Sequence, residues 1–440
     1  MTTTIRLGRR VLAGTALAGA AALVLAGCSG SAEEVDTDAA VEEGGTITVW
    51  AWEPTLEQVA ADFEEENPGV TVDLVNVGTG IDSYTALQNA ITAGTGLPDV
   101  AQVEYYALPQ FALQDSLEDL GPYGASDLDG DYAPGPWSSV TSGDAVIGLP
   151  MDSGPMAMYY NKDVFDEYGV AVPTTWDEYI EAARALHEAN PDLYIANDAG
   201  DAGLAASIMW QAGGTPWTVD GSTVALDLAG DEGAQRYAEV WQTLLDEGLI
   251  SDISSWSDEW FSALADGTLA TLTTGAWMPA NLEGSAPDGA GAWRVAEMPQ
   301  WEEGVSTSSE NGGSSLAIPA AAENKELAYA FIEYANAGDG VQTRIDGGAF
   351  PATVADLESE EFLSTEFDYF GGQKANEVFA ASSASVVEGW QYLPFQVYAN
   401  TVFGDSVGQA FLGSASVSDG LEDWQSTLET YGADQGFTIE

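Results

Sequence analysis

Whatever chemistry this chain performs must be done with carboxylates, hydroxyls and aromatic rings. Its 440 residues include 71 Asp+Glu against 10 Lys+Arg, with 14 Trp, 17 Tyr and 14 Phe but one His and one Cys. His187 falls on an expected helix over 176–189, beside its apolar stripe and near the C-terminal end, where the dipole favours a cation. It reads as a partly exposed helical residue. One His and one Cys leave Ser-His-Asp and Cys-His nucleophilic systems, and typical zinc sites, short of parts. Asp127-Leu128-Asp129-Gly130-Asp131 looks like the start of a calcium loop, but its Gly is one place early and position 138 is Ser. The expectation is no metal, no cofactor and no catalytic residue.

Two uses of carboxylates remain. A facing pair could hydrolyse a glycosidic bond. The same acids, set among flat rings, could instead hold a neutral sugar. Rings stack on the apolar face of a pyranose, and each charge-assisted hydrogen bond to a hydroxyl is worth roughly 1.5–3 kcal/mol. Residue type alone does not separate the two.

The elements that would position these groups follow from periodicity. Residues 46–50 alternate as a strand, and Pro54 suits a first helical turn. A helix follows with Leu56, Val59, Ala60 and Phe63 on one face, stopped by Asn67-Pro68-Gly69. Residues 70–77 alternate again, a second helix covers 83–92, and 98–103 form a third strand. This order predicts a parallel, doubly wound sheet. Such sheets place ligands beyond the carboxyl ends of their strands. That selects Trp52 and Glu53 after the first strand, and Glu104, Tyr105 and Tyr106 after the third. Trp50, along the alternating strand, reads as core. Thr175-Trp176-Asp177-Glu178 has capping-box spacing, and Trp176, Tyr179, Ile180, Ala183 and Leu186 follow as an apolar stripe. Residues 237–245 and 256–264 read as helices, 313–319 as a strand, 324–332 as a helix, and 376–431 as mostly helical. Trp390, Tyr392 and Gln396 form a late aromatic loop able to cover one end of a cleft.

The stretch Pro150-Met151-Asp152-Ser153-Gly154-Pro155-Met156-Ala157-Met158-Tyr159-Tyr160-Asn161-Lys162-Asp163-Val164-Phe165-Asp166-Glu167 resembles the signature segment of a known family. These are the bacterial extracellular solute-binding proteins, family 1, of sugar ABC importers, similar to the maltose-binding proteins. A turn with polar residues leads into an apolar pair, Tyr-Asn, and an apolar residue four places on. The resemblance implies an α/β, two-lobed type II fold, each lobe a doubly wound sheet flanked by helices, with the ligand cleft between. It implies crossings near Asp152, Gly313 and Ala355, with lobe 1 over 46–152 and 314–355 and lobe 2 over 153–313 and 356–440. Three crossings side by side restrict motion to hinge bending.

By the same resemblance Asp152 stands at the hinge, Trp277 in Thr274-Gly275-Ala276-Trp277-Met278-Pro279 meets ligand, and Gly312 and Gly313 let backbone approach it. The implied function is capture of a neutral mono- or oligosaccharide and delivery to ABC importer permease subunits, by a monomer that is not an enzyme. Where maltose binders carry acid–base side-chain pairs, after the first and third strands, this chain has acids and aromatics, so the choice of sugar does not carry over. The alternatives are a secreted polysaccharide-active hydrolase or lyase, and a binder of a non-sugar solute such as a polyamine or an iron chelate.

Residues 1–27 read as a signal peptide: Arg6, Arg9 and Arg10, then an apolar run ending Leu25-Ala26-Gly27. Cys28 directly after it resembles a lipobox cysteine, which implies a lipid anchor on the extracellular face of the cytoplasmic membrane. Residues 28–45, small, polar and acidic, read as a flexible tether. Without the leader the chain keeps 7 Lys+Arg against 71 Asp+Glu, net −64. That excludes nucleic acid as a partner, disfavours anionic lipid and anionic ligands, and suggests a saline exterior in which salt screens self-repulsion.

Overall fold

The computed structural model describes residues 35–440, so the expected leader, Cys28 and the first part of the tether lie outside the described residues. The rest of the tether is a correction: Thr37–Glu43 is a helix. Asp36 caps it by accepting from the Ala39 N–H at 3.0 Å. Ala40 and Val41 pack against the first core, beside the helix Lys325–Ala337. A short Ala-Ala-Val run carries no readable period, but about two docked turns are enough to fix it. Gly44 ends the helix at φ +72°, where a Cβ would stand 2.4 Å from the Gly69 carbonyl oxygen.

The first lobe is built on five strands in the order Val70–Val75, Gly45–Trp50, Val100–Glu104, Ser314–Ala317, Leu149–Pro150. The first three run parallel, as their strand–helix alternation requires, and Ser314–Ala317 is antiparallel to both neighbours. Helix Leu56–Glu66 buries the anticipated Leu56, Val59, Ala60 and Phe63. It starts after Pro54 rather than at it. Helix Ile81–Ala93 stops at left-handed Gly94.

The second lobe centres on the strand Met156–Asn161, antiparallel to Thr271–Gly275 on one side and Trp293–Ala296 on the other. Ala196–Asn197 pairs in parallel with Ile250–Ser251, and Tyr194 bridges Leu269 to join them to this sheet. Alternation along the central strand divides two cores. Met156 and Met158 face Trp176, Trp241 and Trp424; Ala157 and Tyr159 face Trp260, Trp293 and Phe379. Helix Trp176–Ala189 begins with half a capping box. Thr175 Oγ1 accepts from the Glu178 N–H, but the Glu178 carboxylate turns to the backbone and hydroxyl of Thr174.

Two chain segments pass side by side between the lobes. Met151 N donates to Ser314 O at 2.8 Å, Asn311 N to Gly154 O at 2.8 Å, and Met156 N to Ser309 O at 2.9 Å. A third contact lies farther along, where Ala133 N donates to Ala352 O and Val354 N to Asp131 O.

Candidate functional site

Between the lobes lies a cleft of about 620 Å³. Glu104 and Tyr106 line it from the first lobe, at the carboxyl end of Val100–Glu104 where a doubly wound sheet should present its ligand groups. Tyr84 Oη donates to Glu104 Oε2 at 2.6 Å, and the Tyr106 hydroxyl lies beside the same carboxylate. Burial pushes the Glu104 carboxyl up, against the pull of these two hydroxyls. Burial, with the same carboxylate beside them, pushes both tyrosine hydroxyls up and holds them protonated.

Trp277 lines the opposite wall, at the end of Thr271–Gly275. Its Nε1–H donates to Asn311 O at 2.7 Å, which sets the ring across the second crossing segment. Gly275 and Gly312 make room: a Cβ on either would meet Trp277 Nε1, at 2.3 Å and 3.0 Å. Gly312 has φ +85°, so glycine is required there twice over. Trp390, Tyr392 and Gln396 also reach the cleft. The Trp390 ring stacks on Trp210, centroids 5.3 Å apart and planes inclined by 5°.

Five other predicted positions are not in the cleft wall. Tyr105 is core: it is 1% exposed, and its hydroxyl donates to the Asp152 carbonyl. Gly313 is packed on that ring, where a Cβ would stand 2.5 Å from Tyr105 Cε2. Trp52 lies edge-on to Tyr84, and the Glu53 carboxylate bonds back to Thr55. Asp152 spends its carboxylate on the Ser314 backbone N–H at 2.5 Å. Gln396 lines the cleft, but its amide is committed to Leu393 N and Asn400. In each case a backbone group or a neighbouring side chain within the fold claims the group first.

The structure adds residues that the sequence reading missed. Trp256 was absorbed into an expected helix over 256–264, yet the helix is Asp258–Asp266, capped by Ser257. Trp256 stands before it at φ +67° and is 54% exposed. Asn311 contributes Nδ2 to Ser207 Oγ at 3.1 Å and accepts from Thr274 Oγ1 at 3.3 Å. Its place beside Gly312 was the one signal in the sequence. Asp198, on the floor, accepts from Gly200 N, Asp201 N and Trp241 Nε1. Burial, with Asp201 nearby, pushes its carboxyl up to about 7.

Rings on both walls, the half-buried Glu104 carboxylate with its hydroxyl partners, and the Asn311 amide at the crossing can hold a polyhydroxylated, uncharged ligand. Comparison with known proteins agrees. A family model described as bacterial extracellular solute-binding protein matches residues 51–342. A lactose-binding protein of Rhizobium radiobacter is 26% identical over 360 residues, covering 76% of this chain and 81% of its own. Two solved structures cover 90% of this chain and 99% of theirs. One is an ABC transporter associated binding protein from B. animalis subsp. lactis Bl-04 in complex with beta-1,6-galactobiose, 48% identical with a TM-score of 0.82. The other is the galacto-N-biose-/lacto-N-biose I-binding protein of Bifidobacterium longum, 25% identical with a TM-score of 0.78.

Proposed function

The chain belongs to the bacterial extracellular solute-binding proteins, and from that premise we propose that it captures a small β-galactoside and delivers it to an ABC importer permease. The ligand class is supported by the 48% identical structure, which holds beta-1,6-galactobiose, and by the lactose-binding relative. Both sugars carry a β-linked galactosyl unit. The observation that carries the reading is the Trp277 ring, held by Asn311 O across the cleft from Glu104.

In operation, the lobes over 46–152 plus 314–355 and 153–313 plus 356–440 bend together about the crossings and bury the sugar intact. Trp277 and its aromatic neighbours stack on its apolar face. Glu104, oriented by Tyr84 and Tyr106, accepts from a ring hydroxyl. A micromolar dissociation constant needs about −8 kcal/mol, within reach of a few charge-assisted bonds and stacked rings after the cost of closure. The chain acts as a monomer, anchored by lipid on Cys28 outside the cytoplasmic membrane. Its retention in the membrane fraction should be lost in Cys28→Ala, and unchanged retention would refute the anchor.

Calorimetry across β-1,6-galactobiose, lactose, maltose, cellobiose and xylobiose tests the reading. Selective one-to-one binding of the β-galactosides, recovered unaltered, is the expected result. Preference for another class overturns the ligand assignment, and turnover overturns the binding role.

A further inference from the structure

The two crossing segments are stitched together by side chains in both directions. Asp152, on the first, accepts from the Ser314 N–H of the second at 2.5 Å. Glu310, on the second, accepts from the Gly154 N–H at 2.6 Å and from the Ser153 hydroxyl at 3.0 and 3.1 Å, both on the first. Each carboxylate therefore grips the other segment's backbone where the chain passes between lobes. Glu310 is buried, with Gly135 packed over it: a Cβ on that glycine would stand 3.2 Å from Glu310 Oε1.

The surroundings are poor in positive charge. Arg344 is buried, gives Nη1 to Met151 O and Asn336 Oδ1, and has no partner for Nε or Nη2 among the described residues. It favours the charged form of Asp152, while Glu53 and Glu104 oppose it. Tyr105, whose hydroxyl donates to the Asp152 carbonyl, is near enough to feel both Asp152 and Glu310; the two carboxylates act on each other, and Tyr392 of the late aromatic loop feels Glu310. Burial holds both carboxyls up to about 7, with the backbone and hydroxyl donors pulling the other way.

We infer that Asp152 and Glu310 form a reciprocal carboxylate clasp that sets the hinge, and that its ionisation couples ligand capture to pH near neutrality. This rests on the reading that capture proceeds by bending at these crossings. Rotation of one segment against the other must change the donor–acceptor distances that the clasp fixes. Ionised carboxylates hold N–H groups through charge-assisted bonds, and neutral ones hold them less tightly. Glu310 belongs to the cleft lining, so closure over an uncharged ligand dries the wall around it and disfavours its charge. Capture then takes up protons, and affinity rises as pH falls through neutrality.

The test is calorimetry of the full exported protein with β-1,6-galactobiose at pH 6 and pH 8, in two buffers of different ionisation enthalpy. Binding about threefold tighter at pH 6, equivalent to uptake of about a quarter of a proton, is expected. Asp152→Asn and Glu310→Gln should each diminish the uptake, and the double variant should abolish it. If the double variant does not fold, the single Glu310→Gln carries the comparison. Binding without proton exchange, proton release, or full uptake in the variants overturns the clasp alone. Absence of binding at every pH overturns the sugar-capture reading and the clasp with it.

Discussion

The indole of Trp256 lies against that of Trp277, ring centroids 5.8 Å apart and planes inclined by 21°. One ring is anchored by its hydrogen bond to Asn311 O, while the other is mostly exposed on a backbone of positive φ. Trp277→Ala should weaken β-1,6-galactobiose binding by about 1–3 kcal/mol. Trp277→Phe should recover part of that, because stacking survives the loss of the Nε1–H bond. Calorimetry on both variants checks the expectation, and an unchanged dissociation constant for Trp277→Ala would make the ring a packing element. Trp256→Gly should leave the melting temperature at or above wild type, since it releases about 1 kcal/mol of backbone strain; a large drop would show that the ring holds its loop.

Glu104 is the half-buried acceptor of the first-lobe wall. Glu104→Gln keeps an oxygen for the Tyr84 hydroxyl and removes the charge, so the lost assistance should weaken binding by about 1.5 kcal/mol, roughly tenfold. Titration of the variant with the same sugar decides it. Equal affinity would move the recognition of hydroxyls to Asn311 and the second lobe.

Asp198 gives stability a pH dependence of definite sign. Its folded-state pKa, about 7, stands above the ordinary carboxylate value. The folded protein therefore binds more protons than the unfolded chain between about pH 4 and pH 7. The stability it contributes is fully present below the unfolded pKa and is lost as pH rises through 7. Melting temperature should fall from pH 5 to pH 8, and Asp198→Asn should flatten that fall. A variant with the wild-type slope would show that Asp198 does not titrate there.

Charge bears on stability as well. The full chain carries 71 acids against 10 Lys+Arg, and among the described residues only five ion pairs form. Most of the acidic repulsion is thus left to solvent ions to screen. The melting temperature should rise as NaCl is raised from low salt. A flat curve would show that the acids are spaced widely enough to need no screening.

The order of elements was legible because each is encoded locally. The stripe Leu56, Val59, Ala60, Phe63 and the alternation of 46–50 state helix and strand without help from elsewhere. Glu104, Tyr106 and Trp277 could be picked out by position, as groups just beyond strand ends. What could not be read was which groups are already spoken for. Asp152 and Tyr105 have the right types in the right loops, but backbone atoms over 40 or 160 residues away along the chain take their polar ends. Trp256 was hidden for the opposite reason: its apolar spacing from Trp260 and Leu264 mimicked a helical turn that Ser257 starts one residue later. Asn311 and Trp210 become site residues only when distant segments meet, and no local pattern marks them.

The docked helix Thr37–Glu43 makes the two jaws unequal. Because it packs beside Lys325–Ala337, the chain enters the fold on the first lobe, and among the described residues the second lobe carries no such added brace from the amino end. Trp277 stands on the unbraced jaw, facing Glu104 on the braced one.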